Sequence, residues 1–252
     1  MMLMSFGKEH KDKNSYFLRM EKIGRKAETD KIIIHGYHRF YEDYLSSFRN
    51  EGISMLEIGI QNGNSLKLWK NYFPKAYIYG IDISIDYTDE RTTIFKADQS
   101  NIDDLNRIVI DIKPRQLHFI NDDGSHIPEH QILSFNKFFD ELLIEGGIYI
   151  IEDIETSYWK RGELYGYSTN YGYCHRLSVI EIFKNMADYI NRKYISDFDK
   201  KVLREKLKDF SDSTLNAISS ITFAQNCIII KKKLAYEYQY TSENYYYNNL
   251  IE

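Results

Sequence analysis

Acidic residues recur in this chain at the points where short apolar runs stop. Glu57 and Gly59 close the run over residues 53–59, Asp82 follows 76–81, and Asp98 follows 92–96. Asp122 and Asp123 follow 117–120, and Glu152 and Asp153 follow 148–151. Like charges repel, so acids gathered at strand ends serve a ligand rather than the fold. Asp123, Glu152 and Asp153 could give three carboxylate oxygens to one hard cation, Mg2+ or Mn2+. Zinc fits less well without a neighbouring His/Cys cluster. The plainer alternative has Asp122 or Asp123 capping a turn and Glu152-Asp153 facing solvent. His126 stands just beyond Asp123, across a Gly-Ser turn. Beside a metal it can act as a general base; otherwise it hydrogen-bonds its own loop. His130, one turn further, reads as a surface residue.

A second constellation is the turn Glu57-Ile58-Gly59-Ile60-Gln61-Asn62-Gly63. Its glycines allow a ligand close to the backbone, but the spacing is not the G-x-G-x-x-G of a dinucleotide site. Glu57 would sit badly beside a pyrophosphate and better beside an amino group. Asp82 can accept hydrogen bonds from two ribose hydroxyls. A ligand that joins an amino acid to a nucleoside satisfies both ends, and S-adenosylmethionine is that molecule.

The elements that must position these residues alternate. Strands are expected at 53–59, 76–81, 92–96, 117–120 and 148–151, and helices at 37–48, 66–72, 102–112 and 129–143. Such alternation means a parallel sheet with helices on both faces, and ligands bind beyond the carboxyl ends of its strands. A polar, tyrosine-rich loop at 155–174 and helices up to 210 follow. Runs at 220–224 and 227–231 then form a closing antiparallel hairpin, which brings the sheet to seven strands. Three segments result: an N-terminal helical segment (1–50), the main domain (51–234, with 155–215 shaping an acceptor site) and a tyrosine-rich tail (235–252). In the tail Tyr236, Tyr238 and Tyr240 alternate as in an edge strand or dimer contact. Lys231 to Lys233 read as a solvated strand end.

A net charge of −4 with mixed signs gives no basic stripe for nucleic acid. Cys174 and Cys227 lack disulfide or CxxC spacing, and the longest apolar runs are strand-sized, far short of a membrane span. A cytoplasmic protein without membrane insertion is expected. Rival readings are an NAD-dependent Rossmann oxidoreductase, which the missing glycine spacing and Glu57 oppose, and a metal-dependent hydrolase or hydroxylase using the acidic cluster alone. A non-catalytic module holding a structural cation is a third.

At Asn121-Asp122-Asp123-Gly124-Ser125-His126, followed by Glu152-Asp153-Ile154-Glu155-Thr156-Ser157-Tyr158-Trp159, the sequence resembles a known family. These are the metal-dependent sugar O-methyltransferases of the macrocin and mycinamicin type, with relatives acting on polysaccharide sugars. Thr29-Asp30-Lys31 with His35-Gly36-Tyr37, and Leu56 through Trp69, extend the likeness over residues 20–160. It implies a Rossmann-like class I methyltransferase fold and methylation of a sugar hydroxyl, in polysaccharide or natural-product glycoside biosynthesis. It also implies Mg2+ on Asp123, Glu152 and Asp153, with His126 as base. Thr29, Lys31 and His35 or Tyr37 would close over S-adenosylmethionine, Asp82 would bind the ribose, and Asp98 and Gln99 would lie near the adenine. Ser65 and Asp122 join the cofactor residues, and Tyr158 and Trp159 would line the acceptor pocket. The expected partner is a sugar-containing small molecule, a nucleotide-linked sugar being one form, with a second copy of the chain as a further expectation.

Overall fold

The computed structural model describes residues 19–159, 163–164 and 167–241; the remainder of the tyrosine-rich tail, part of the 155–174 loop and residues 1–18 lie outside the described residues. The chain divides into two compact units, one up to Lys96 and one from Ala97.

The first unit opens with helix α1 (19–27), α2 (Asp30–Ile33) and α3 (His38–Leu45), the last continued by a 3-10 turn. Strand β1 (Ser54–Ile58) leads through the glycine turn into α4 (Asn64–Tyr72), and β2 (Tyr77–Asp82), β3 (Tyr87–Asp89) and β4 (Thr92–Lys96) follow. The strand order is β3-β4-β2-β1. β1, β2 and β4 run parallel, and β3 is antiparallel to β4. β1 and β2 are buried along almost their whole length, which is why they read as continuous apolar runs rather than alternating ones. Gly63, at φ +75, caps α4 in the left-handed region that glycine adopts without a Cβ clash.

The second unit contains α5 (Ile102–Ile112), β5 (Leu117–Asp122), α6 (Pro128–Glu141) and β6 (Leu143–Glu152). The short strands β7 (Glu163–Leu164) and β8 (Tyr167–Ser168) come next, then α7 (Val179–Ile190), α8 (Asp197–Lys206) and α9 (Asp212–Ala217). The unit ends with β9 (Ile218–Ala224) and β10 (Cys227–Lys232). Its main strand order is β5-β6-β10-β9; β5 and β6 are parallel, and β10 is antiparallel to both neighbours. α5 forms where expected. Asn101 caps its first turn by accepting from the Asp103 and Asp104 amides, and Leu105, Ile108, Val109 and Ile112 form its buried stripe. Phe135 of α6 packs its ring against Phe139, Tyr149, Phe183 and Phe210, joining α6 and α7 to β6.

The order matches the α/β expectation, with four corrections. Apart from the short β7–β8 pair, the two strand orders hold eight strands against the seven expected, the addition being β3, too short and polar to stand out. β6 starts at Leu143 and runs through Gly146-Gly147, with a register shift opposite β5. Tyr236, Tyr238 and Tyr240 do not form an edge strand: 235–241 is a 3-10 turn with Tyr236 and Tyr240 largely exposed and Tyr238 partly covered under the Lys233 ammonium. Lys232 and Lys233 are not solvated. The Lys232 ammonium donates to the carbonyls of Phe139, Asp140 and Leu143, beyond the last turn of α6, and Lys233 donates to Asn216 O in α9. Each lysine satisfies carbonyls that a helix end leaves open. No helix among the described residues is long and apolar enough to cross a membrane.

Candidate functional site

In the first unit the glycine turn is fastened from below. Gly59 N donates to Ile81 O at 2.8 Å and Gly63 N to Ile60 O at 2.9 Å. Asp82 ends β2 with both carboxylate oxygens engaged: Oδ2 accepts from the amides of Ile60 and Gln61 at 3.1 and 3.0 Å. Oδ1 accepts from the Ser84 amide and hydroxyl and from the Ile85 amide. A carboxylate offers about four acceptor sites, so Asp82 is committed to bracing the turn. A ribose diol would have to displace part of this set. Burial works against ionisation here, but the bonds from Ser84, Gln61 and Ile60 outweigh it and hold the carboxyl below its ordinary value.

Glu57 is fully buried. Its carboxylate accepts from Ser65 Oγ at 2.8 Å and Trp69 Nε1 at 3.0 Å, and the buried Lys31 ammonium lies 3.5 Å away. Burial pushes its carboxyl up, with Lys31 the main opposing influence. Glu57, Lys31 and Ser65 therefore form an internal polar knot beneath the turn. Thr29 and Tyr37 are also buried, whereas His35 is partly exposed and stacks on Tyr37 at 5.1 Å. Tyr37 stacks in turn on Tyr41, and Tyr41 on Trp69.

In the second unit β5 runs two residues further than expected, so Asp122 lies inside the strand and is wholly buried. Gln99 Nε2 donates to both of its oxygens, at 2.8 and 3.0 Å, while Gln99 Oε1 accepts from the Ser125 amide at 2.9 Å. Burial raises the Asp122 carboxyl from 3.8 to about 7, against the pull of Gln99. Gln99 thus ties Asp122 to the 123–127 loop. Asp98, partly exposed, accepts from the Ser100 amide and hydroxyl. His130 is half-buried rather than on the surface, its Nδ1 2.8 Å from Ser125 Oγ.

Beyond β5 and β6 the chain brings Asp123, His126 and Asp153 together, with one ligand atom from each within 4.8 Å of the others. His126 Nε2 lies 3.8 Å from Asp153 Oδ2. Glu152, also expected among the ligands, is buried at the end of β6 and is not one of these three. His126 and Asp153 both adopt left-handed backbone, at φ +58 and +51, which for non-glycine residues is strain typical of functional sites. Surrounding bonds hold them: Thr156 Oγ1 donates to His126 O at 2.6 Å and Gln131 Nε2 to Glu152 O at 2.9 Å. Asn226 in the β9–β10 turn donates to Asp153 Oδ1 at 2.9 Å. Asn226 and Thr156 were missed by sequence reasoning. A lone Gln-Asn between two strands is an ordinary turn signal, and only pairing of β10 with β6 gives it a place here. Tyr158, half exposed, has its ring 6.3 Å from that of Tyr173, whose amide donates to Trp159 O.

No family model matches the chain. The 8-demethyl-8-alpha-L-rhamnosyl tetracenomycin-C 2'-O-methyltransferase of Streptomyces olivaceus is 36% identical over 140 residues, 52% of this chain and 36% of that protein. The mycinamicin VI 2''-O-methyltransferase of Micromonospora griseorubida is 36% identical over 150 residues, covering 56% and 37%. The demethylmacrocin O-methyltransferase of Streptomyces fradiae is 35% identical over 135 residues, covering 50% and 33%. The matched stretch is therefore only about a third of these relatives' own length. Among solved structures, the MycE methyltransferase of the mycinamycin biosynthetic pathway in complex with Mg and SAH superposes with a TM-score of 0.69 at 25% identity, over 85% of this chain and 53% of that one. Its complex with Mg, SAH and mycinamycin VI gives 0.67 at 24%, over 85% and 54%. The chain thus has the fold of a class I methyltransferase and, over about half its length, is similar in sequence to sugar O-methyltransferases of the tetracenomycin, mycinamicin and macrocin type.

Proposed function

We propose that this chain is an S-adenosylmethionine-dependent, divalent-metal-assisted O-methyltransferase acting on a sugar hydroxyl. The observation that carries this reading is the convergence of Asp123, His126 and Asp153 beyond the ends of β5 and β6, within the two sequence elements that most resemble the sugar O-methyltransferases. The names of the relatives point to a sugar carried on a polyketide; a sugar of a surface polysaccharide is the other acceptor class. The glycine turn, with His35 as a partly exposed member of the expected set in the same unit, would receive the cofactor.

The donor set fits a hard cation. Oxygen and nitrogen donors on one Mg2+ at about 2.0–2.1 Å stand about 3 to 4.2 Å apart. The span of up to 4.8 Å among one ligand atom each of Asp123, His126 and Asp153 is close to that; Asp123 and Asp153, with Glu152, would hold the cation, and His126 would act as the base. When bound, such a cation would lower the pKa of a hydroxyl placed against it. His126 Nε2 would take that proton. The cofactor, when bound, would supply a methyl group on a sulfonium, with the oxygen's electron pair forming the new bond to carbon and the carbon–sulfur pair left on sulfur. Tyr158 and Trp159 would hold the sugar's apolar face, fixing the angle of attack.

Calorimetric titration with S-adenosylhomocysteine, with Mg2+ and then with EDTA, tests the cofactor class. Micromolar binding is expected, and none under either condition would sink the reading. His126→Ala should slow methyl transfer to a cognate glycoside by about 10²- to 10⁴-fold and leave S-adenosylhomocysteine affinity unchanged. Loss of that affinity would remove His126 from the role of base.

A further inference from the structure

We infer that Asn226, at the tip of the β9–β10 hairpin, is a positioning residue for the candidate metal centre: it pins one oxygen of Asp153 and so turns the other toward the cluster. The inference rests on the metal-assisted reading above and assigns it a residue outside the stretch that resembles the sugar O-methyltransferases.

Topology brings the residue there. β10 pairs antiparallel with β6 in a register that sets Cys227 opposite Glu152, so the residue before β10 stands beside the residue after β6. Asn226 then makes three hydrogen bonds to the segment carrying Asp153. Its Nδ2 donates to Asp153 Oδ1 at 2.9 Å, its Oδ1 accepts from the Glu155 amide at 3.0 Å, and its main-chain oxygen accepts from the Ile154 amide at 3.3 Å. The Glu155 amide can only donate, so the side-chain oxygen must face it and the NH2 must face the carboxylate. The orientation of the Asn226 amide is therefore fixed by the chain.

The chemistry follows. A carboxylate rotates readily about its last torsion, which is broad rather than confined to sharp wells. Holding Oδ1 removes that freedom, and Oδ2 is the oxygen on the His126 side, 3.8 Å from Nε2. A neutral donor is required: a carboxylate at 226 would repel Asp153, and an apolar group would release it. Asn also tolerates the left-handed backbone at φ +60 better than most residues, so the same side chain suits both turn and ligand. Outer partners that orient ligating groups typically contribute 10- to 100-fold to metal affinity.

The test uses the full chain and Mn2+ alone, with free Mn2+ followed by electron paramagnetic resonance. Asn226→Gly keeps the left-handed turn and deletes the amide; Asn226→Ser keeps a turn-forming residue that cannot reach both partners. Each should weaken Mn2+ binding by about 10- to 100-fold, while S-adenosylhomocysteine affinity measured in EDTA stays at the wild-type value. A role confined to shaping the hairpin predicts wild-type Mn2+ affinity for Asn226→Gly, and that result in either folded variant overturns the inference. A wild-type chain that binds no Mn2+ overturns this inference together with the metal-assisted reading, so the two failures are told apart.

Discussion

The acids of the two units read alike in the sequence and do opposite things in the structure. In the first unit Glu57 and Asp82 face inward, one bonded to Ser65 and Trp69 beside Lys31, the other to four backbone amides and a hydroxyl. The left-handed positions of that turn are Gly59, Gln61 and Gly63, two of the three glycine, so the turn is shaped mainly by backbone freedom. In the second unit Asp123, His126 and Asp153 converge, and left-handed backbone falls on His126 and Asp153 themselves. Strain is tolerated where a particular side chain is needed at a particular angle. A strand-end acid is thus as well explained by bracing a ligand loop as by touching the ligand, and the difference lies in how many donors the chain itself supplies.

Substitution should separate the two groups cleanly. The largest effect belongs to the second unit: Asp123→Asn or Asp153→Asn should lower methyl transfer by several kcal/mol of barrier, roughly a thousandfold. The unfolding midpoint without metal should stay close to wild type. A fall of many degrees in that midpoint would place these acids with the bracing ones. Next in size is Glu57→Leu, which strips a fully buried Lys31 of the carboxylate facing it. Breaking such a pair costs about 3–5 kcal/mol, read as a shift in the urea midpoint. A loss below about 1 kcal/mol, together with weakened cofactor binding, would return Glu57 to the ligand side of the comparison.

Much of the frame was legible in the residues. β4 and α5 lie where their patterns put them, because alternating burial along β4 and an i, i+3, i+4, i+7 stripe leave little choice. Asp123 and Asp153 were legible as strand-end acids and His126 as their neighbour, and the structure brings a ligand atom of each within 4.8 Å of the others. What stayed hidden depends on long-range partners. Asn121 and Asp122 look like a turn because polar residues seldom end a buried strand; β5 carries them inward, and Gln99, 23 residues away, receives Asp122. Lys232 and Lys233 look solvated until α6 and α9 end beside them. The alternating tyrosines at 236, 238 and 240 mimic a strand because period two alone does not supply a neighbour to pair with.

The smallest predicted effect, a slope with pH, sharpens the comparison most directly because Asp82 and Asp122 are shifted in opposite directions. Asp82 is held below its ordinary value, so its contribution to stability is present above the unfolded pKa and is lost only as pH falls through the folded one. Asp122 is raised from 3.8 to about 7. Between those values the folded chain holds the proton that the unfolded chain has released, so stability falls as pH rises through that window, by at most about 1.4 kcal/mol per pH unit. In EDTA, urea unfolding of Asp122→Asn should therefore gain on wild type steadily from pH 5 to 7 and level off above. The deficit of Asp82→Asn should stay constant over the same range and narrow only in acid below about pH 4. A constant offset for Asp122→Asn would mean that the Gln99 clamp holds a carboxylate already ionised at pH 5, and the two strand-end acids would then be the same kind of brace.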